Sequence, residues 1–115
     1  MREFEQVWVD IQNVLQDRKE VRTLCRGVRN DIVDVGVDYV VLMSERPVKG
    51  VRKERVIAKS DFEYVWNKLA SSGVYTLEDI GGVRGRRSII CAILALLDYV
   101  EGVCDRGKVK LKLKV

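Results

Sequence analysis

An α+β fold is predicted by three features of this 115-residue chain. A helical apolar stripe opens it, β-branched segments broken by turn residues fill most of the first half, and helical spacing in the second half gives way to a strictly alternating lysine strand. The expected architecture is an N-terminal helix and a small antiparallel β-meander over residues 1–59, then a three-helix unit with a C-terminal β-hairpin over 60–115. The length is that of one domain, enough to bury a core without staples.

The first helix rests on Phe4, Val7, Trp8, Ile11, Val14 and Leu15, spaced for one face, with Glu5, Asp10, Gln12 and Gln16 on the other. Such a stripe docks on its own fold more often than on a second copy, and Trp8, like Trp66 further on, is expected to anchor the core. From Val21 the pattern becomes VRTLC, NDIVDVG, DYVVLMS and RKERVIA, four candidate strands separated by turn residues that include Gly27 and Gly36. The segment ERPVKGVRKE, with Pro47 and Gly50, reads as a basic loop between two of them, its charge a solvated tip. Ser60 and Glu63 form an S-x-x-E capping box ahead of Phe62, Val65, Trp66 and Leu69, a helix that stops at Gly73. Thr76 and Asp79 open a short helix ended by Gly81-Gly82, and Arg86 or Ser88 starts a third, SIICAILALLDYV.

Composition narrows the function. Hydrophobic residues at 47% and charged residues at 33% exclude a disordered chain, and no apolar run approaches the roughly 18 residues of a membrane span. The start, MREFEQVWVD, has no secretory pattern, so a cytoplasmic protein is expected. There is no histidine, which removes every imidazole-dependent acid, base or triad, and a non-catalytic role is the expectation. Cys25, Cys91 and Cys104 match neither a disulfide framework nor a zinc pattern and read as reduced. Neither a metal nor a cofactor is implied, and no small-molecule substrate. Abundant Lys, Arg and Glu with little Asn and Gln leans toward a thermophile's composition.

The net charge of +4 matters only where it is concentrated. Arg46, Lys49, Arg52, Lys53, Arg55 and Lys59 form one cluster, Arg84, Arg86 and Arg87 a second, and Arg106 with Lys108, Lys110, Lys112 and Lys114 a third. In GKVKLKLKV the lysines take one strand face and Val109, Leu111, Leu113 and Val115 the other. Two readings of that row stand side by side: charge on an end strand discourages edge pairing, or it forms a basic surface for a polyanion.

The order of elements from Ser60 to Val115, carried by GVYTLEDIGGVRGRRSIICAIL with Val74-Tyr75 as a brief strand, then YVEGVCDRGKVKLKLKV as a hairpin, resembles the winged helix-turn-helix. That resemblance implies a third helix directed at the DNA major groove and a hairpin wing touching backbone or minor groove. By position, it places Arg84, Arg86, Arg87 and Ser88 at the start of the recognition helix and Arg106, Lys108 and Lys110 on the wing. The third helix carries only Ile, Cys, Ala and Leu between Ser88 and Asp98: a core stripe of Ile90, Ile93, Leu94 and Leu97, and a small face of Ser88, Cys91, Ala92 and Ala95. A helix so poor in polar groups suits burial or a close partner better than base readout, so contacts to double-stranded DNA are expected at the phosphate backbone. The leading expectation is a nucleic-acid-binding, transcription-associated module. A protein-interaction or oligomerisation module, with the end strand pairing across a homodimer, is the alternative.

Other chemistry is weaker. GGVRGRRS lacks the Gly-Lys-Ser/Thr ending of a P-loop and reads as a turn. Asp31, Asp34 and Asp38 invite a metal reading, but strand alternation sets Asp31 on the face opposite the other two.

Overall fold

The computed structural model describes residues 3–47, 49–77 and 84–114, with side chains from Arg87 onward in the last segment. Helix α1 (Phe4–Gln16) leads into a four-stranded antiparallel meander of β1 (Glu20–Arg22), β2 (Arg29–Val35), β3 (Tyr39–Ser44) and β4 (Glu54–Ala58). Helix α2 (Lys59–Ser72), β5 (Val74–Thr76), α3 (Arg84–Leu94), β6 (Val100–Asp105) and β7 (Lys108–Leu113) follow, the last sheet ordered β5-β7-β6 and antiparallel throughout. The fold is thus α+β, an N-terminal helix and meander ahead of a helical half with a terminal hairpin. Among the described residues no helix is long and apolar enough to cross a membrane.

Helix α1 docks inward, burying Phe4, Val7, Trp8, Ile11 and Leu15. Its polar margin fastens the β2–β3 turn: the Trp8 indole donates to Val37 O at 2.8 Å and the Gln12 amide to Gly36 O at 2.9 Å. The turn needs glycine at Gly36, where a Cβ would lie 2.3 Å from the Tyr39 ring. Tyr99 reaches from the second half to donate to Asp10 at 2.7 Å, and Lys59 pairs with Glu5 at 2.8 Å. One buried cluster runs through α1, the meander, α2, α3 and the second sheet, with Trp8 and Trp66 both inside it.

Helix α2 begins two residues earlier than the capping box predicts. Ala58 holds the N-cap position and no side chain caps it, so Ser60 and Glu63 lie within the first turns. The helix does end at Gly73, whose φ of +79° lets its N–H return to Leu69 O. The predicted short helix from Thr76 to Gly82 falls largely outside the described residues; Thr76 itself ends β5. Helix α3 stops at Leu94, after which Leu96 and Leu97 bond to carbonyls three residues back and lead into β6.

Two expectations are corrected by this architecture, the edge position of the lysine strand and the reduced cysteines, and one open choice, burial or a partner for the small face of α3, is decided. The lysine strand β7 is central: β5 pairs along one side and β6 along the other, so it is neither an edge needing a guard nor free to pair across a dimer there. The small face of α3 is consumed inside the chain, Cys91 and Ala92 being as buried as Ile90 and Ile93. Cys25 is bonded to Cys104 across 79 residues of sequence, leaving only Cys91 as a free thiol among the described residues. Spacing along the chain held no trace of that pairing, because it depends on the β1–β2 loop folding back over β6.

Candidate nucleic-acid interface

The inner face of the meander changes character along its length. Its first lateral row, Val35, Val40 and Ile57, is wholly apolar. The next, Ile32, Leu42 and Arg55, ends on a guanidinium, and the third brings Val21, Asn30 and Ser44 together. Among the described residues Asn30 and Ser44 are the only buried polar ones, at 5% and 9% exposure. Both are held locally: the Asn30 amide donates to Val28 O at 3.2 Å, and Ser44 Oγ accepts from Arg46 N at 3.2 Å. Both also border an open space beside the sheet.

That space is a cleft of about 530 Å³ between the meander and the hairpin tip. One wall is the β1–β2 loop, cinched by Thr23, whose backbone pairs with Val28 and whose Oγ1 accepts from Val28 N at 3.0 Å; it presents Arg26. The facing wall is the β6–β7 turn, where Arg106 and Gly107 both have positive φ, +53° and +79°. Two such residues suit the strand twist, but Asn-Gly is the favoured pair, and arginine in this conformation costs about 1 kcal/mol. The Cys25–Cys104 bond joins the two walls.

Among the described residues five cations line the cleft, Arg26, Arg46, Arg55, Arg106 and Lys108, together with the neutral groups of Thr23, Asn30, Ser44 and Ser88, and no carboxylate does. None of the five has an ion-pair partner among the described residues. Some of the other basic residues of the same clusters are engaged, while Lys49, Lys53 and Lys114 have no ion-pair partner among the described residues either. Arg52 donates to Asp31 at 2.7 Å and to Ser44 O at 3.0 Å; Lys110 pairs with Asp105 at 2.9 Å; Lys112 stands across from Glu101 in register. Arg87 lies over the Tyr64 ring at 5.1 Å, a cation–π placement that Lys68 shares at 5.6 Å.

Of the residues singled out from sequence, the fold therefore gathers Ser88, Arg106 and Lys108 on the cleft and directs Lys110 and Arg87 to other partners. Arg84 and Arg86 are in the first turn of α3, their side chains outside the described residues. Arg46 and Arg55 flank what the sequence presents as a solvated loop tip, yet they line the cleft. Arg26, Thr23 and Asn30 escaped notice. The signal available for Arg55 and Ser44 was parity: each continues the inward series of its strand, Ile57 to Arg55 and Val40, Leu42 to Ser44.

The aspartates of the meander are structural. A bulge between Ile32 and Asp34 puts Asp31 and Asp34 on one face, reversing the alternation expected from sequence. The hydrogen bond from Arg52, aided by the charge of Arg29, holds the Asp31 carboxyl below its ordinary range. Asp34 accepts from the Tyr39 hydroxyl at 3.0 Å, which raises the phenol's pKa. No group of acidic or cysteine side chains among the described residues is placed to hold a metal.

Burial pushes the Cys91 thiol up to about 12. Between the ordinary thiol value of 9.0 and that raised value, unfolding releases a proton that the folded thiol keeps. Stability will then fall as pH rises through that window, by up to about 1.4 kcal/mol per pH unit. Urea titrations of wild type and Cys91→Ala from pH 8 to 11 check this: stability falls more steeply with pH in wild type than in the variant.

No family model, curated protein or solved structure matches this chain.

Proposed function

We propose that this chain is a non-catalytic nucleic-acid-binding module, winged-helix-like in its second half, that grips the phosphate backbone of DNA through the cleft between the meander and the hairpin tip. The observation that carries the reading is the lining itself: among the described residues, five cations from four separate segments converge and no carboxylate joins them. Like charges crowded in this way repel one another, and a polyanion relieves the repulsion while releasing its counterions. Arginine dominates the set, and its planar fork matches phosphate oxygens bidentately. The winged-helix reading is supported by β5, α3 and the β6–β7 hairpin following α2 in that order, with β5 sharing the hairpin's sheet. Transcription-associated binding in the cytoplasm is the setting that suits it. A disulfide there fits the thermophile-like composition, since intracellular disulfides are at home in hyperthermophiles.

The test is a salt titration of random-sequence duplex DNA. Wild type should bind at low salt with a steep log–log slope, and Arg46→Gln, Arg55→Gln and Arg106→Asn together should flatten it by roughly 2.7, about 0.9 for each phosphate no longer neutralised. Arg106→Asn suits its turn better than arginine does, so the loss is one of charge and not of folding. Arg22→Gln, which removes a partner of Glu20, should leave the slope unchanged. Absence of binding at low salt, with a concentration-dependent dimer in sedimentation, would favour the protein-interaction reading.

A further inference from the structure

We infer that the cleft receives one unpaired nucleotide of a DNA strand, so that the chain prefers DNA offering such a nucleotide over a fully paired duplex. The inference rests on the nucleic-acid reading above and assigns the ligand of the same site. It comes from how the cleft's chemistry is layered. Its charged groups stand at the rim: Arg26, Arg46, Arg106 and Lys108 are exposed. Deeper in, beside the half-buried Arg55, stand two neutral groups, the Asn30 amide and the Ser44 hydroxyl, nearly excluded from solvent.

A site built only for phosphate would place further cations beside Arg55. This one ends instead on a carboxamide and a hydroxyl, the groups that exchange hydrogen bonds with a base edge. Val28, Leu77 and Val109 supply apolar wall beside them, against which a base plane can lie. The volume of about 530 Å³ lies within the range of small-ligand sites, roughly 300–1,000 Å³. It has room for a nucleotide and none for a duplex, whose major groove alone is about 12 Å wide. The rim cations sit on two opposed walls, so a strand whose base enters the cleft keeps a phosphate on either side within their reach. Taking a base out of its stack costs a few kcal/mol, least where it is already unpaired, and this sets the preference.

The experiment compares three ligands at one salt concentration: a matched duplex, the same duplex with one extra unpaired 2-aminopurine nucleotide, and free 2-aminopurine deoxynucleoside monophosphate. The bulged duplex should bind about tenfold or more tightly than the matched one, with a rise in 2-aminopurine emission as the base leaves its neighbours. Ser44→Ala and Asn30→Ala, each confirmed folded by thermal melting, should bring the affinities for bulged and matched duplex to within about twofold of each other. Equal affinity for bulged and matched duplexes would overturn the inference and leave the backbone-binding reading standing. A free monophosphate that binds as tightly as bulged DNA would overturn it in favour of a small-molecule site. Failure of every DNA to bind at low salt would remove the nucleic-acid reading itself.

Discussion

Opening the Cys25–Cys104 bond will lower the unfolding free energy by about 4 kcal/mol and, on the proposed DNA-binding reading, weaken DNA binding. The cysteines are 79 residues apart in sequence, so the bond closes a long loop in the unfolded chain, and the entropy it removes grows with loop length. For a domain of this size 1 kcal/mol corresponds to about 4 °C in Tm, so reduction should cost roughly 15 °C. The folded state will survive it, because β6 is seated by packing as well as by sulfur. Its Gly102 lies so close to α3 and the β1–β2 loop that a Cβ there would stand 2.6 Å from Ala95 Cβ and 2.9 Å from Leu24 Cδ1. Binding suffers for a different reason. Cys25 lies in the wall that carries Arg26, and Cys104 two residues before Arg106, so the bond fixes the gap the ligand must fill. Without it, part of the binding energy goes to ordering the walls. Melting curves and DNA titrations with and without a dithiol, repeated on Cys25→Ser with Cys104→Ser, measure both effects. A fully reduced protein with unchanged Tm would refute the stapling argument.

How much of this was legible beforehand follows from which physical signals are local. The stripe from Phe4 to Leu15 and the alternation in YVVLMS and KVKLKL are periodic, and periodicity alone places α1, β3 and β7. What periodicity cannot carry is who pairs with whom. The lysine row reads as a terminal edge because the chain ends near it, yet β5, a three-residue strand, crosses back to cover it. A one-residue bulge at β2 inverts the faces of Asp31 and Asp34, and nothing local to NDIVDVG announces it. The cleft was half readable for the same reason. Arg106 and Lys108 stand out as a charge cluster, whereas Arg26 is a single arginine in a loop, made relevant only when Cys25 beside it meets Cys104.

Replacing Trp8 with alanine will cost about 3–5 kcal/mol, the range for removing a large buried aromatic, and the loss will be felt in both halves. Trp8 is 3% exposed, with its ring centroid 6.4 Å from Phe4 and 5.5 Å from Phe62, so it joins α1 to α2 through a run of tilted aromatics. Its indole also donates to Val37 O. That hydrogen bond is the smaller part, because Val37 is 83% exposed and its carbonyl regains water when the donor leaves. Trp8→Phe, which keeps an aromatic ring but drops the donor and part of the buried volume, should cost less, about 1–3 kcal/mol, from one hydrogen bond and a small cavity. Urea midpoints of the two variants measure both costs. Helix α1 is also where the meander and the C-terminal half are tied to a common support, through Gln12 to Gly36 on one side and Asp10 to Tyr99 on the other. If it acts as that support, hydrogen exchange in Trp8→Ala will quicken in β2, β3 and β6 together. A cost below about 1 kcal/mol, or faster exchange confined to α1, would mean that the helix is an ornament on a fold whose halves hold each other without it.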